Sequence, residues 1–479
     1  MGSGLRRNDA VGSDGTGRIG SGFRASPPAW GAVPDPLCPG RIGDNSAMQR
    51  TLADWLSYIE RIHPKTIDMG LERIRIVARR LGLGRPAKKV ITVGGTNGKG
   101  STVAFIEAIA RADGRRVGAY TSPHLLAYNE RIRIDGRDAG DAEIVAAFEA
   151  IEAARLGAAG GGEVALTYFE YGTLAALWLF ERARLDLAIL EVGLGGRLDA
   201  TNIVDPDVAV ITTVDLDHQD YLGEDREAIG FEKAGIARAW KPLVLGDDDP
   251  PSSVLGHAYR IGASALRANC DFFFEPLPSR ADAAPQWRWR EVGYRADLPL
   301  PQLAAPAQLR NAAVAIAALR ALGGAPGKAE LAQGVANAHV PGRLQRFERG
   351  GVDVLVDVGH NPQAARELAA WLAAVPAPGR VRAVFAALGD KDVAGVVAAL
   401  ADRIDEWHLA GLADSGPRGI DVDAFAQRLH GSAAAEGQRH ADVAAALDAA
   451  LARAEPGDRV LVFGSFHTAA AALQRLSAR

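Results

Sequence analysis

A glycine-rich turn between an apolar strand and an amphipathic helix constrains the fold more than any other feature of this sequence. Residues 90–110 read VITVGGTNGKGSTVAFIEAIA, with four glycines placed around Lys99. Glycines let the backbone wrap closely around an anion, and the helix that follows adds the positive end of its dipole. The segment therefore predicts a phosphate-binding loop inside a β–α unit, although its spacing differs from that of the common GxxxxGK[ST] loop.

This loop is expected to bind the phosphates of a nucleotide, with Lys99 contributing a mobile positive charge. The contacting residues would be Gly95, Thr96, Asn97, Gly98, Lys99, Gly100 and Ser101. The alternative is a turn that only connects a strand to a helix, and the strand, GKGS and helix in register favour the phosphate interpretation. Such a loop indicates a nucleotide without identifying a reaction.

Strand and helix patterns alternate along the chain, as is typical of parallel sheets covered by helices. In the first part, strands are expected at 90–94, 186–192, 208–212 and 242–245. Helices are expected there at 99–112, 166–183, 226–239, 309–321 and 328–337. The pattern restarts with strands near 353, 381, 406 and 459. The sequence therefore predicts an α/β protein with two sheets.

The segment HVPGR, residues 339–343, indicates a hinge between the two units, because proline followed by glycine interrupts regular structure. We expect a parallel-sheet ATP-binding domain at 48–341 and a smaller Rossmann-like α/β domain at 342–479. Residues 1–47 are rich in Gly, Ser, Pro and Arg, and we expect a disordered extension there. The alternative is that translation begins at Met48.

Composition argues against several classes of protein. The formal net charge is −4 over 479 residues, so no overall positive field attracts nucleic acid or an anionic membrane. No apolar run reaches the length of a membrane-spanning helix. The two cysteines, Cys38 and Cys270, lie far apart and form no disulfide or metal-binding pattern. We therefore expect a cytoplasmic protein without a nucleic-acid or membrane partner. We also expect it to be a monomer.

Ten short motifs follow one another in the order seen in the folylpolyglutamate synthase and dihydrofolate synthase family. They are GTNGKGS (95–101), TSPHL (121–125), NERI (129–132), LTYFE (166–170), EVGLGGRLDATN (191–202), DHQDYLG (217–223), FEKAGI (231–236), PGR (341–343), DVGHNP (357–362) and GSFHT (464–468). Each motif alone is weak evidence for a family, whereas ten motifs in the same order are a specific signature. The chain resembles this family over about 48–479. The family belongs to the wider Mur ligase group, whose two nucleotide-flanking domains close over ATP.

The resemblance implies an ATP-dependent ligase of folate biosynthesis and one-carbon metabolism. Such an enzyme joins L-glutamate to dihydropteroate, to reduced folates or to both, through an acyl phosphate. It uses ATP and two Mg²⁺ ions. The implied metal ligands are Ser122, Glu191, His218 and, if carboxylated, Lys233. The residues alone would rank Asp215 and Asp217 above His218, because magnesium prefers oxygen ligands.

The resemblance also implies three further groups of residues. The catalytic group would be Lys99, His218 and Lys233. The group on the pterin-bearing substrate would be Thr167, Phe169, Asp199 and Ala200. The group closing over the nucleotide would be Asn311, Arg343, Asp357 and His360. The alternatives are that Phe169 is a core aromatic, that Lys233 is a solvated surface lysine, and that Arg343 pairs with Asp357.

Two other functions fit parts of the pattern. A cell-wall Mur-type amino-acid ligase would share ATP, magnesium and amide formation. The GKGS loop, the LTYFE motif and the lack of a separate N-terminal domain for a UDP sugar argue against it. A nucleotide-binding protein without turnover is disfavoured because Lys99, Glu191, His218 and Lys233 occur together.

Overall fold

The computed structural model describes residues 50–478 except 64, 66, 158–159, 279–283, 303–304 and 306. The extension expected at 1–47 lies outside the described residues. From Arg50 onward the chain groups as one unit that contains two α/β sheets. Within the described part of the chain, no helix is long and apolar enough to cross a membrane.

The first sheet has eight strands in the order β4-β3-β2-β5-β1-β6-β7-β8. Six of them run parallel, and the hairpin strands β3 and β4 complete one edge in antiparallel pairing. The strands are β1 (Ala87–Gly94), β2 (Val117–Tyr120), β3 (Ile132–Ile134), β4 (Arg137–Asp138), β5 (Leu185–Glu191), β6 (Val208–Ile211), β7 (Pro242–Leu245) and β8 (Ser264–Arg267). The loop after β1 therefore lies at the centre of the sheet.

Helices cover both faces of this sheet. They are α1 (Leu52–Arg61), α2 (Glu72–Arg80), α3 (Lys99–Ala112), α4 (Asp141–Arg155), α5 (Tyr168–Ala183), α6 (Gln219–Leu222), α7 (Arg226–Ala234), α8 (Ser252–Ile261), α9 (Ala307–Ala321) and α10 (Lys328–Asn337). Successive β1 residues face opposite sides: Ile91 packs in the core with α3 and α9, whereas Val90 packs in the core with α4 and α5. Burial on both faces explains the continuous apolar run of β1.

A small antiparallel sheet precedes α9. Its strands are β9 (Phe272–Pro276), β10 (Gln286–Glu291) and β11 (Tyr294–Pro299), in the order β11-β10-β9. The buried rings of Trp287 and Trp289 fix it to the core that contains α9, and the Trp289 indole donates a hydrogen bond to the Ala313 carbonyl at 3.1 Å. This sheet therefore braces α9 from the outside.

The second large sheet has six strands in the order β12-β13-β17-β14-β15-β16. Only β12 pairs in antiparallel fashion. The strands are β12 (Gln345–Arg349), β13 (Val352–Val356), β14 (Val381–Phe385), β15 (Glu406–Ala410), β16 (Gln438–His440) and β17 (Arg459–Phe463). Its helices are α11 (Pro362–Ala374), α12 (Val393–Leu400), α13 (Val422–Gln427), α14 (Val443–Arg453) and α15 (Phe466–Ser477). We call this part, from β12 onward, the C-terminal lobe, and the part before it the first lobe.

The predicted α/β class is confirmed, with a large mainly parallel sheet followed by a smaller α/β sheet. The boundary at 341–342 stays a prediction. One expected helix, at 226–239, is too long: α7 ends at Ala234. Gly235 follows it and lies so close to Arg197 that an added Cβ would be 2.4 Å from the arginine Cβ.

Candidate active site

The phosphate loop lies at the carboxyl end of β1, where open α/β sheets bind ligands. Two of its glycines have positive φ, 141° at Gly95 and 87° at Gly98. A Cβ at Gly95 would be 1.9 Å from the Thr212 hydroxyl oxygen, and one at Gly98 would be 2.5 Å from the Asn311 amide oxygen. Both positions therefore require glycine for space as well as for conformation.

Hydrogen bonds tie this loop to the segment after β6. The Thr96 amide donates to the Thr213 carbonyl at 2.8 Å, and the Asn97 amide donates to the Thr213 hydroxyl at 3.1 Å. The Thr96 hydroxyl oxygen accepts from the Asp215 amide at 3.0 Å. These hydrogen bonds fix the loop against the segment after β6.

Lys99 begins α3 and turns its ammonium back into the loop. Its Nζ donates to the carbonyl oxygens of Gly95 and Thr96, both at 3.0 Å. Burial lowers the pKa of Lys99, while the carboxylates of Glu191 and Asp217 act in the opposite direction. Among the described residues, the Lys99 ammonium donates hydrogen bonds only to these two carbonyl oxygens.

Glu191 is the last residue of β5 and lies beside Val93 in the parallel register, next to the phosphate loop. Its side chain is buried, and its Oε2 accepts a hydrogen bond from the Ser122 amide at 3.2 Å. A Cβ added at Gly100 would be 3.7 Å from the same oxygen. The carboxylate therefore faces the first turn of α3. Burial raises the pKa of Glu191, and Lys99 is the strongest opposing influence.

His218 follows β6 and starts the short helix α6, with a positive φ of 52°. Burial lowers its pKa to about 4 although Asp217 opposes this, and Lys99 is among the cations that act with burial. The ring is therefore neutral near pH 7, the form that binds metals. The charge of Lys99 acts on the pKa of both His218 and Glu191, so the three groups are close enough to interact electrostatically.

Residue chemistry alone favours Asp215 and Asp217 as magnesium ligands. In the structure both carboxylates form salt bridges instead. Asp215 pairs with Arg366 at 3.0 Å, and Asp217 pairs with Lys391 at 3.0 Å. Both cations belong to the C-terminal lobe. The two carboxylates therefore join the lobes.

Lys233 on α7 is buried, so it is not the solvated surface lysine of the alternative interpretation. Within the described chain its amine makes no hydrogen bond or ion pair. Burial, reinforced by the charge of Lys99, lowers its pKa to about 7, against the influence of Asp217. A large fraction of this amine is therefore unprotonated near neutral pH.

The fit of a divalent cation can be judged from the donors around Glu191. Among the residues that the structure describes, no three His, Cys, Asp or Glu side chains are arranged around a common metal position. Magnesium usually needs only one or two carboxylates and takes its other ligands from phosphates and water. The buried Glu191 carboxylate and Ser122, both beside the phosphate loop, fit a site that the nucleotide would complete.

The four expected substrate residues lie around one loop. The Phe169 ring packs on Tyr120 at 5.9 Å, and a Cβ at Gly193 would be 2.6 Å from its Cζ. Thr167 caps α5 by accepting from the Glu170 amide at 3.2 Å. Asp199 accepts from the Leu194 amide at 2.9 Å, and Ala200 is buried with α5. Each of these residues therefore has a structural role in addition to any contact with substrate. Phe169 in particular packs against the core, as the alternative interpretation expected.

One neighbouring segment was missed by the sequence predictions. Residues 67–70 cover the same loop, because the Met69 Cε would lie 3.5 Å from a Cβ at Gly195. Arg73 holds this segment by pairing with Asp68 at 2.7 Å and with Glu170 at 3.3 Å. The sequence signal for this segment was DMGLER (68–73), in which Asp68 and Arg73 flank a glycine.

The residues expected to close over the nucleotide meet the loop from the other side. Asn311 on α9 lies against Gly98, as described above. Asp357 forms no salt bridge with Arg343 in the described chain; its two oxygens accept from the Leu344 and Gly359 amides at 2.8 and 2.7 Å. The Arg343 guanidinium lies over the Phe466 ring at 5.7 Å. Arg343 therefore acts on Asp357 through its charge, which lowers the pKa of the carboxyl against the effect of burial, and not through a direct salt bridge in the described chain.

Direct contacts cross between the lobes at the phosphate loop. The Asn97 side chain donates to Asn361 at 3.1 Å and accepts from it at the same distance. His360 lies close by, with its Nε2 3.7 Å from Asp217. A cleft of about 380 Å³ opens between the lobes, and its walls include Gly100, Ser122, Glu191 and Arg343. Residues predicted to bind the metal and the nucleotide thus share this cleft.

Comparison with known proteins connects this geometry to a family. The Mur ligase middle domain matches residues 93–264, and the Mur ligase glutamate ligase domain matches residues 342–466. The dihydrofolate synthase/folylpolyglutamate synthase of Escherichia coli K12 is 46% identical over 429 residues, which cover 89% of this chain and 96% of that protein. The protein of the same name from Haemophilus influenzae is 42% identical over 442 residues, covering 88% and 96%.

Solved structures agree with these relatives. Escherichia coli FolC in complex with DHPP and ADP has a TM-score of 0.82 and 46% identity, covering 90% of this chain and 98% of that chain. A bifunctional folylpolyglutamate synthase/dihydrofolate synthase with Mn, AMPPNP and L-glutamate bound has a TM-score of 0.80 and 45% identity, covering 89% and 98%. The chain therefore belongs to the dihydrofolate synthase/folylpolyglutamate synthase family.

Proposed function

We propose that this chain joins L-glutamate to the carboxylates of dihydropteroate and of reduced folates, using ATP. The observation that carries this proposal is the cleft whose walls bring Gly100 of the phosphate loop, Ser122 and Glu191 together with Arg343 at the junction with the C-terminal lobe. The bound DHPP, ADP, AMPPNP and L-glutamate of the related structures support the choice of substrates. We place the reaction in the cytoplasm because the two cysteines of the sequence, Cys38 and Cys270, form no disulfide pattern.

The phosphate loop would hold the β- and γ-phosphates through its backbone amides, from Gly95 to Ser101. Lys99 would leave its two carbonyl partners and move onto the γ-phosphate, where it disperses the charge that develops during transfer. Arg343 would approach from the opposite wall, and its fork of donors suits phosphate oxygens. Asn311, Asp357 and His360 are assigned to the nucleoside side of the cleft.

Magnesium would be held by Glu191 and Ser122, with His218 and a carboxylated Lys233 as further ligands, and it would supply neutralising charge at the phosphates. A carbamate forms when an unprotonated amine attacks CO₂ and loses a proton, and the low pKa of Lys233 supports that step. In this way a buried amine would become an anion that can bind the second ion.

The acceptor carboxylate would attack the γ-phosphorus in line, forming an acyl phosphate and releasing ADP. The glutamate amine would then attack the activated carbonyl and expel inorganic phosphate, which leaves an amide. The contacts between Asn97 and Asn361 close the cleft near the reacting phosphate and would keep out water that hydrolyses the intermediate. Thr167, Phe169, Asp199 and Ala200 would orient the pterin end of the acceptor.

The test measures ADP release with dihydropteroate or tetrahydrofolate as acceptor, each with and without glutamate. Glutamate-dependent release with both acceptors is expected. Release with only one acceptor would restrict the enzyme to that activity. A requirement for a UDP-linked sugar peptide would indicate a cell-wall ligase, and nucleotide binding without any turnover would overturn the proposal.

The acyl phosphate is tested separately with an acceptor whose carboxylate carries oxygen-18. One labelled oxygen is expected in the phosphate that is released after glutamate is added. Unlabelled phosphate would contradict the proposed order of steps.

A further inference from the structure

Asp217 is surrounded by cationic and histidine side chains from both lobes. Its Oδ1 lies 3.0 Å from the Lys391 ammonium, and its Oδ2 lies 3.7 Å from the His360 Nε2. The His218 Nε2 of the first lobe lies 3.9 Å from Oδ2. Lys391 and His360 belong to the C-terminal lobe, so this carboxylate is where the second lobe reaches the His218 loop.

A single oxygen links Lys391 to the backbone of His218. The His218 amide donates to Asp217 Oδ1 at 2.9 Å, and the lysine ammonium donates to the same oxygen. His218 has a φ of 52°, in the left-handed region that residues with a side chain seldom adopt. A conformation of this kind persists only when its surroundings enforce it. The Asp217 carboxylate, oriented by Lys391, is one of the groups that enforce it.

Lys391 itself is held on a fixed turn. Arg428 donates to the carbonyl oxygens of Gly389 and Lys391, both at 2.7 Å. The side chain of Lys391 is 9% exposed, and that of Asp217 is 12% exposed. The lysine therefore meets Asp217 from a braced position, in surroundings that screen charge weakly.

A second ion pair between the lobes provides a contrast. Arg366 and Asp215 are also 3.0 Å apart, but the arginine side chain is 60% exposed. Asp215 accepts from the amide of Leu216, not from that of His218. This outer pair can help to hold the lobes together without acting on the His218 loop.

We propose that Lys391 is a positioning residue that transmits closure of the C-terminal lobe to the His218 ring through Asp217. The inference rests on the proposed function, because it assigns His218 to the metal–phosphate site. When the lobe is closed, the lysine fixes the Asp217 carboxylate, which holds the His218 backbone through Oδ1 and lies 3.9 Å from the His218 Nε2 through Oδ2. Divalent metal at the nucleotide is then bound tightly only in the closed enzyme.

The experiment measures Mn²⁺ binding by electron paramagnetic resonance, in full-length enzyme saturated with a non-hydrolysable ATP analogue. Lys391→Met removes the charge and keeps the length of the side chain, whereas Lys391→Arg keeps the charge. Arg366→Met is the matched control for the outer pair. Substitution of groups that orient metal ligands typically weakens metal binding by about 10- to 100-fold. We expect K391M to raise the half-saturating Mn²⁺ concentration by that factor, and K391R and R366M to stay within about threefold of wild type.

Two outcomes would overturn the proposal: K391M binding Mn²⁺ like wild type, or K391R binding it as weakly as K391M. Melting temperatures identify a variant that fails to fold. In that case Asp217→Asn replaces K391M, and wild-type Mn²⁺ binding by D217N would equally overturn the proposal. The titration needs no turnover, so a wild-type enzyme without glutamate-dependent ADP release would overturn the proposed function and leave the role of Lys391 to be decided by the metal data.

Discussion

Buried charges are treated differently at the two ends of this molecule. Near the phosphate loop, the buried Glu191 accepts one amide hydrogen bond, and the buried Lys233 has no hydrogen-bond partner in the described chain. At the amino ends of the C-terminal strands, Arg382 contacts both Asp458 and Glu406. Incompletely paired charges are unfavourable in the folded state and are typical of functional sites, whereas fully paired ones hold a structure together. We therefore expect Glu191 and Lys233 to bind ligands, and Arg382 with its two carboxylate partners to stabilise the fold.

The largest effect on stability is expected from Arg382→Met, because the arginine side chain is 6% exposed and its loss leaves Asp458 buried without its cation. Removing one partner of a buried pair costs about 3–5 kcal/mol of unfolding free energy. Chemical denaturation measures this loss. The kcat of the folded fraction should stay unchanged, since Arg382 lies at the strand end opposite the cleft. A tenfold lower kcat in fully folded R382M would contradict the assignment of Arg382 to stability alone.

Lys99→Met should show the opposite result, with a large loss of activity and little loss of stability. Losing a group that stabilises transferred charge lowers kcat/KM by about 10²- to 10³-fold, which corresponds to about 2.7–4 kcal/mol in the transition state. The melting temperature should change by only about 3 °C, because the hydrogen bonds of the ammonium within the described residues are the two to loop carbonyls. Steady-state kinetics and calorimetry measure the two quantities. A strongly destabilised protein would show that Lys99 is part of the structural group.

Lys233→Met should lower kcat by about 10- to 100-fold through loss of a metal ligand. Because burial holds the pKa of Lys233 at about 7, the unprotonated amine becomes more abundant as pH rises through that value. At fixed dissolved ¹³CO₂, a carbamate ¹³C signal should therefore grow up to about pH 8 and then level off. The signal should be absent from K233M. A wild-type enzyme without this signal would leave Lys233 as an amine.

The smallest effect is expected from Thr167→Ala, which removes the cap of α5. Loss of a capping threonine costs about 1 kcal/mol of unfolding free energy. If the hydroxyl also contacts substrate, KM for dihydropteroate should rise about threefold, while Thr167→Ser should restore both values. An unchanged KM would limit Thr167 to its role as a cap.

The sequence predicted the central sheets well, because β1 and its neighbours are short apolar runs bounded by glycine or acidic residues. It missed the antiparallel sheet β9–β11, whose strands mix Trp, Arg and Glu without a continuous apolar run. The tryptophans of this sheet are buried by packing against α9, and that contact cannot be read from the local sequence. Local pattern therefore identified the main layers and missed an element that depends on tertiary packing.

The candidate site was predicted less completely. Glycine spacing placed the phosphate loop, and motif order placed Glu191 and His218 near it. The partners of Asp215 and Asp217 were beyond local inference, because Arg366 and Lys391 lie more than 140 residues away in the chain. Favouring those carboxylates as metal ligands was chemically reasonable, but it omitted the cations that the second lobe brings to them.

The approach of Asn311 to Gly98 has a consequence for protein engineering. A side chain at position 98 would occupy the space of the Asn311 amide, so the two positions cannot be varied independently. A library that randomises the loop alone would return glycine at this position whatever the selection. A new side chain at 98 would require a smaller residue at 311 and would also have to tolerate the positive φ of 87° at that position.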